Sequence, residues 1–236
     1  MTDRTNRTST QPDDPRLQAV LPAVYEPCFL AVTDSIQAEA QRQAEAGAEE
    51  GRLIWAAEQT DGHGQHGPWA SPPGGLYCAV LLRPDFPVDR WPEIGLVALL
   101  ALGTTVAELL PPLTGLDHRW PNDILVNGHK VGGIYLTRSG EALIIGAQLN
   151  IAPPIEGWEY ASLVDDAAAV TTPGEALSGF ARHLIDSLQR WNDQGLAAIL
   201  QSLGARGLHG LDAAGGITNE EGEPVALATF FQGLAL

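Results

Sequence analysis

The sequence predicts an α+β fold, with a mixed, mostly antiparallel sheet, flanking helices and a small C-terminal appendage. Three observations carry this prediction. Apolar strand-like runs alternate with helical stretches along the chain. Two of those runs, 124–126 and 130–136, are joined by Asn127-Gly128, the signature of a tight hairpin turn. A third run, ALIIGAQLNI at 142–151, follows at once and makes an adjacent strand.

Taken in order, residues 1–16 are polar and read as a disordered leader. Residues 17–24 form an irregular lead-in, and 29–32 a short strand. Asp34 opens a helix with Gln37 at the reach-back position of a capping box. Ala and Gln, good helix formers, carry it to about Ala46, and Gly47 stops it. Residues 52–57 (RLIWAA) and 76–82 (LYCAVLL) are strands, the second ended by Arg83-Pro84. Pro92 suits a first helical turn, and the helix after it, 93–110, is apolar on nearly every face, so it should be the main buried one. Pro111-Pro112 ends it. After the hairpin and its third strand, 152–173 is a loop rich in Pro, Asp and Ala. The next helix, 173–191, carries Leu177, Phe180, Leu184, Leu188 and Trp191 on one stripe. A short helix at 196–203 precedes a glycine-clustered tail whose one apolar stretch, 225–231, suggests a small β unit. The expected division is therefore a leader at 1–16, a main domain at 17–203 and an appendage at 204–236.

The totals exclude several classes of function. The net charge is −16 with only 13 Lys and Arg, which opposes non-specific nucleic-acid binding and anionic membrane surfaces. Two cysteines, Cys28 and Cys78, make neither a disulfide framework nor a cysteine-rich zinc site. The N-terminus has no hydrophobic signal region, and the longest apolar run, 95–110, is interrupted by Thr104, Thr105 and Glu108. A cytoplasmic location is the default expectation.

Chemistry concentrates in two stretches. The first is EQTDGHGQHGPWASPPGG at 58–75, with Gly62, Gly64 and Gly67 in a G-x-G-x-x-G frame. A dinucleotide fold needs a helix after that frame, and the proline-rich 68–75 cannot be one. What is left is a long loop between strands whose many backbone N–H groups suit an anion. His63 and His66 lack a third metal ligand nearby in sequence. As anion clamps, imidazoles are poor substitutes for the permanently charged arginine. The second stretch is HRWPNDILVNGHKVGGIYL at 118–136. Asn122 and Asp123 precede a strand, and Lys130 stands just before Gly132-Gly133 across the hairpin. Glycines inside a strand mark a bulge or a close backbone approach, over which a lysine can reach a ligand. On these residues alone, a surface lysine and a structural Asn-Asp turn remain open as well.

Loop and hairpin in this order resemble the catalytic domain of biotin–protein ligases, in the biotin/lipoate protein ligase superfamily. The resemblance runs over about 34–150. Asp34-Ser35 is similar to that family's Asp-Ser-Thr-Asn segment, with Ile36 and Gln37 departing from it. Gln59 and the three glycines match its Gly-Arg-Gly-Arg-Arg-Gly loop. Trp69, Ser71, Pro72, Gly74, Gly75, Leu76 and Tyr77 match the segment that follows. Arg119-Trp120-Pro121-Asn122-Asp123 stands where the family has Lys-Trp-Pro-Asn-Asp. Lys130 and Gly133-Ile134 have its catalytic-lysine spacing, and Leu149-Asn150-Ile151 resembles its Gly-Leu-Asn-Val.

The resemblance implies ATP-dependent activation of biotin or a lipoate-like acid to an acyl-adenylate, with Mg²⁺ on the triphosphate. Transfer to a lysine of a biotinyl or lipoyl carrier domain follows, and the net charge of −16 leaves neither nucleic acid nor membrane as an expected partner. Lys130 would be the bridging cation between carboxylate and phosphate. Substrate contacts would come from Ser35, Gln59, Gly62, His63, Gly64, Gln65, Gly67, Trp69, Gly133 and Gln148. Nucleotide contacts would come from Trp120, Asn122, Asp123 and Asn150, with no protein metal ligands. The departures are specific. His63, Gln65 and His66 replace the loop arginines, Asp61 stands where an alanine is usual, and Gln148 takes a normally small glycine position. Removing one preorganised donor from such a site costs about 10²–10³ in rate. Three readings stay open: an active ligase with an unusual loop, a non-catalytic relative that binds a small carboxylate or nucleotide, and an acyltransferase using a cysteine nucleophile.

Overall fold

The computed structural model describes residues 13–64, 67–119, 121–152 and 161–204, with isolated positions beyond them that include Phe231 and Leu234. Residues 1–12 of the expected leader and nearly all of the expected appendage lie outside the described residues.

A seven-stranded sheet organises the chain. Its strands are β1 (Glu26–Leu30), β2 (Arg52–Ala56), β5 (Leu76–Leu82), β6 (Leu116–Arg119), β7 (Asp123–Val126), β8 (His129–Ser139) and β9 (Ala142–Leu149). The spatial order is β1-β2-β5-β9-β8-β7-β6. Only β1 and β2 run parallel, and every other neighbour is antiparallel. The sheet is thus mixed and mostly antiparallel, as the sequence predicts. β6 is the strand that the sequence reading lacks. Two short strands, β3 (His63–Gly64) and β4 (Gly67–Pro68), pair separately within the glycine loop.

Helices cover both faces unequally. On one face lie α2 (Trp91–Leu109), α4 (Pro173–Gln194) and α5 (Leu196–Gly204). They bury Ile94, Leu96, Leu99, Leu102, Leu177, Phe180 and Leu184 completely against the sheet. Helix α2 has the length and apolarity to cross a bilayer, but here most of it is enclosed by its own fold. Phe231 packs where α2 has a glycine: a Cβ on Gly95 would lie 2.1 Å from its ring. Helix α4 begins with a reciprocal capping box between Thr172 and Glu175, and Gly195 ends it at φ 76°. Within the expected loop the structure adds a one-turn helix, α3 (Leu163–Ala167).

Among the described residues, the other face carries α1 (Ile36–Glu45) alone. Its stripe Ile36, Ala40 and Ala44 packs on Cys28, Leu30, Ile54, Ala79, Leu81 and Ile144. Small residues bring this helix close to the strands: the Gln37 amide sits 2.7 Å from where a Cβ on Gly146 would be. Gly47, at φ 89°, closes the helix. The hairpin turn is as the sequence predicts, with Asn127 at φ 50° and Gly128 at φ 85°.

Candidate functional site

The site lies on the α1 face, where the chain leaves β1 and β2. Those two exits run side by side, tied by Thr60 N–H to Thr33 carbonyl at 2.9 Å and Asp61 N–H to Asp34 carbonyl at 2.8 Å. Gln59 is the staple. Its Oε1 accepts the Ile36 N–H at 2.7 Å, and its Nε2 donates to Ser71 Oγ at 2.7 Å. This corrects the capping box predicted at Asp34–Gln37. Ser35 is the N-cap residue and makes no side-chain cap bond, so a residue from the next loop supplies the acceptor instead. Gln37 is turned onto the sheet, where neither polar atom of its amide has a partner among the described residues. Asp34 points to solvent and holds Arg42 at 2.7 Å. The hydrogen bond from that guanidinium, with help from the Ser35 N–H and Thr33, keeps its carboxyl well below the usual carboxylate range.

The glycine loop forms a lid over this floor. A side chain at Gly62 has no room, because its Cβ would lie 2.5 Å from the Trp69 carbonyl oxygen and 2.6 Å from Ser71 Oγ. That close approach lets Trp69 N–H donate to the Gly62 carbonyl at 2.7 Å. Trp69 is buried, and its ring packs against Gly64. His63 is exposed and turns back on its own loop, Nδ1 lying 2.8 Å from the Asp61 carbonyl oxygen. Gly67 sits at φ 146°, a conformation that favours glycine. Gln65 and His66 lie outside the described residues, as does Trp120.

Beneath the lid, sheet register sets a row of side chains: Arg119 opposite Asp123, Asp123 opposite Gly133, Gly133 opposite Gln148, Gln148 opposite Tyr77. Lys130 joins this row because of a bulge. In a regular strand, residues three apart point to opposite faces. Here the β7–β8 register shifts between Ile124 and Leu125, so Lys130 and Gly133 face the same side. Lys130 Nζ lies 2.6 Å from Asp123 Oδ1 and 5.1 Å from the centre of the Trp69 ring. Its side chain keeps 21% exposure, so the ammonium is reachable from solvent yet faces the lid. Arg119 Nη2 meets the other oxygen, Asp123 Oδ2, at 2.7 Å. Two cations therefore share one carboxylate, which leaves local positive charge in a chain of net charge −16. An incoming anion can replace Asp123 at the lysine without stranding that carboxylate, since Arg119 still holds it.

The other expected residues divide between chemistry and support. Gln148 is almost wholly buried and reaches up to the lid, its Nε2 donating to the His63 carbonyl at 3.1 Å. Asn122 is bound into β8: its Nδ2 donates to the Ile134 carbonyl at 2.8 Å, and its own carbonyl accepts the Ile134 N–H at 2.9 Å. Asn150 pins the segment before α3 through Nδ2 to the Ala161 carbonyl at 3.1 Å. Tyr135 escaped the sequence reading, yet its hydroxyl lies 3.4 Å from the Cβ positions of both Gly64 and Gly133, between lid and floor. Its i, i+2 spacing from Gly133 was the available signal. Both cysteines are free and buried. Cys78 points into the α2 side of the core, and burial pushes its thiol up to about 12. Cys78 is therefore not placed to act as a nucleophilic thiolate at neutral pH.

Among the described residues no group of three or more His, Cys, Asp or Glu could hold a metal. The one carboxylate beside Lys130 already has both oxygens engaged by cations. These residues do not form a Mg²⁺ site of their own.

A family model described as the biotin/lipoate A/B protein ligase family matches residues 21–203. Over 164 residues the chain is 34% identical to a biotin–[acetyl-CoA-carboxylase] ligase of Paracoccus denitrificans, covering 67% of this chain and 65% of that protein. Over 127 residues it is 36% identical to the bifunctional ligase/repressor BirA of Bacillus subtilis, covering 51% of this chain and 38% of that one. The match thus spans less than two thirds of the length of either curated relative. The biotin protein ligase from Aquifex aeolicus in complex with biotin and ATP superposes with a TM-score of 0.67 at 25% identity, covering 84% of this chain and 94% of that one.

Proposed function

The chain belongs to the biotin/lipoate A/B protein ligase family, and from that premise we propose that it activates a small carboxylic acid with ATP and passes the acyl group to a lysine of a carrier domain. In the first step a carboxylate oxygen attacks the α-phosphorus of ATP. The bond from that phosphorus to the bridging oxygen breaks, and pyrophosphate leaves with the electron pair. In the second, a carrier lysine amine attacks the acyl carbon, AMP departs, and the amine loses a proton.

The observation that carries the reading is the half-buried ammonium of Lys130 under the lid, 2.6 Å from Asp123 Oδ1. Bringing a carboxylate to a phosphate costs repulsion that a preorganised cation offsets most in the transition state. Lys130 supplies that cation and trades Asp123 for the substrate oxygens. Trp69 shields it from water on the lid side. His63 stands where the resembled family has arginine, so donors to the phosphate would be lid backbone N–H groups other than those of Asp61 and Trp69, which already bond to the Asp34 and Gly62 carbonyls. Mg²⁺ would neutralise the triphosphate. Arg119 keeps Asp123 in place while the lysine is engaged elsewhere.

The test is acid-dependent pyrophosphate release from ATP and Mg²⁺, across acids from 4-hydroxybutyrate to octanoate, lipoate and biotin. Wild type should release pyrophosphate at least about 10²-fold faster than Lys130→Ala. Equal rates with every acid defeat the proposal. A second reading has its own support: the described lid residues, 62–64 and 67–69, carry no lysine or arginine. On that reading the protein binds an acid or nucleotide without turning it over, and adenylate formation excludes it.

A further inference from the structure

We propose that Gln148 is an end wall that shortens the acid site: the wild-type protein takes a short carboxylic acid with a hydrogen-bond donor at its far end and excludes one of biotin length. This rests on the reading that an acid places its carboxylate at Lys130.

The argument starts from register. Lys130 and Asp123 stand at one end of the row beneath the lid. Ser35 and Gln59, at the other end, follow β1 and β2. A chain running from the lysine towards them must cross Gly133, then Gln148, then Tyr77, one strand at a time. Strands lie about 4.8 Å apart, so the first crossing takes only a few methylenes. Gly133 puts no side chain in that first step, which the Tyr135 hydroxyl and Asp123 Oδ1 border at 3.4 and 3.5 Å from where a Cβ would lie. Gln148 closes the second: it is 1% exposed and spans floor to lid through its bond to the His63 carbonyl. Gln59 opposes a rise of the lid around a longer chain, since its Nε2 donates to Ser71 Oγ at 2.7 Å and its backbone N–H to the Ser71 carbonyl at 3.1 Å.

The wall also has a chemical preference. Gln148 Oε1 is buried with no partner among the described residues. An acceptor left that way is costly unless a ligand or a water donates to it. Gln37 adds to the same region. Its amide lies over Gly146, two residues from Gln148 on the same face of β9, with neither polar atom partnered among the described residues. A hydroxyl or amide group satisfies such a lining, and a methyl group does not.

Binding without turnover tests this independently of catalysis. Biotin is titrated by calorimetry, without ATP, into wild type, Gln148→Gly and Gln148→Ala, all checked for matching circular dichroism spectra. Opening the wall should tighten biotin binding at least about tenfold in one of the two variants. In parallel, 4-hydroxybutyrate should raise the melting temperature of wild type more than butyrate does, and the difference should vanish in both variants. Biotin binding that is as tight in wild type as in both variants overturns the proposal, and so does binding in none of them. Equal or absent shifts from the two short acids overturn the donor preference. If opening the wall admits biotin but no variant releases pyrophosphate from ATP, the ligase reading fails and the end wall stands.

Discussion

Replacing Gln59 by leucine separates a staple from a pure substrate contact. Leucine has nearly the same volume, so the change removes hydrogen bonds without leaving a cavity. Two buried bonds disappear, from Ile36 N–H and to Ser71 Oγ, each 2.7 Å long in the native protein. Each is worth about 1 kcal/mol net, and the stranded Ile36 N–H adds about 1–3 kcal/mol of desolvation, since Ile36 is fully buried. The sum is about 3–5 kcal/mol. In a chain of this size that lowers the melting temperature by about 6–20 °C. Urea unfolding, read by tryptophan fluorescence and circular dichroism, gives the free energy directly. Ser71→Ala is the internal comparison: it keeps the Ile36 bond, loses those from Gln59 Nε2 and to the Trp69 carbonyl, and should cost about 2 kcal/mol. A Gln59→Leu protein within about 0.5 kcal/mol of wild type, or no less stable than Ser71→Ala, refutes the reasoning. Water would then be replacing both bonds, and the exits of β1 and β2 would be open in solution.

Two further predictions concern titration. Asp34 is held below its ordinary value of 3.8 by Arg42, so its contribution is whole above about pH 4 and is lost as pH falls below that. Wild type should therefore lose stability more steeply than Asp34→Asn between about pH 5 and pH 2, by no more than about 1 kcal/mol because the pair is half exposed; parallel acid arms in urea titrations contradict this. Cys78 runs the other way: its thiol is raised from 9.0 to about 12, so its contribution is whole below pH 9 and is lost as pH rises through 12. Thiol labelling at pH 8 should follow global unfolding rather than precede it, and rapid labelling of the native protein would revive a cysteine nucleophile.

Much of the fold was legible because its signals are local. The Asn127-Gly128 turn, the apolar α2 and the stripe of α4 need no long-range partner to be recognised. β6 was not legible, since LDHR at 116–119 has no apolar run and becomes a strand only by pairing with β7. The cap of α1 was misplaced for a related reason. Gln37 has the right spacing in sequence, but its side chain is drawn onto Gly146, while Gln59, 23 residues away from Ile36, takes the N–H. Lys130, Gly133, Trp69 and Gln148 were all named from motif order, and all four gather between lid and floor. Tyr135 and the Arg119–Asp123 grip complete that space, and no spacing rule announces the grip.

The sequence by itself determined the family, the α+β alternation, the hairpin that carries the lysine and the loop that lacks its arginines. These are written in residue type and spacing, which act over a few neighbours. The tertiary structure decided where the lysine points, what holds its carboxylate and which side chain spans from floor to lid. A single extra residue in β8 turns Lys130 onto the Gly133 face, and Gln148 becomes a wall only because the lid closes above it. Such facts depend on register and on contacts between segments 85 residues apart, and packing of the whole chain is what selects them.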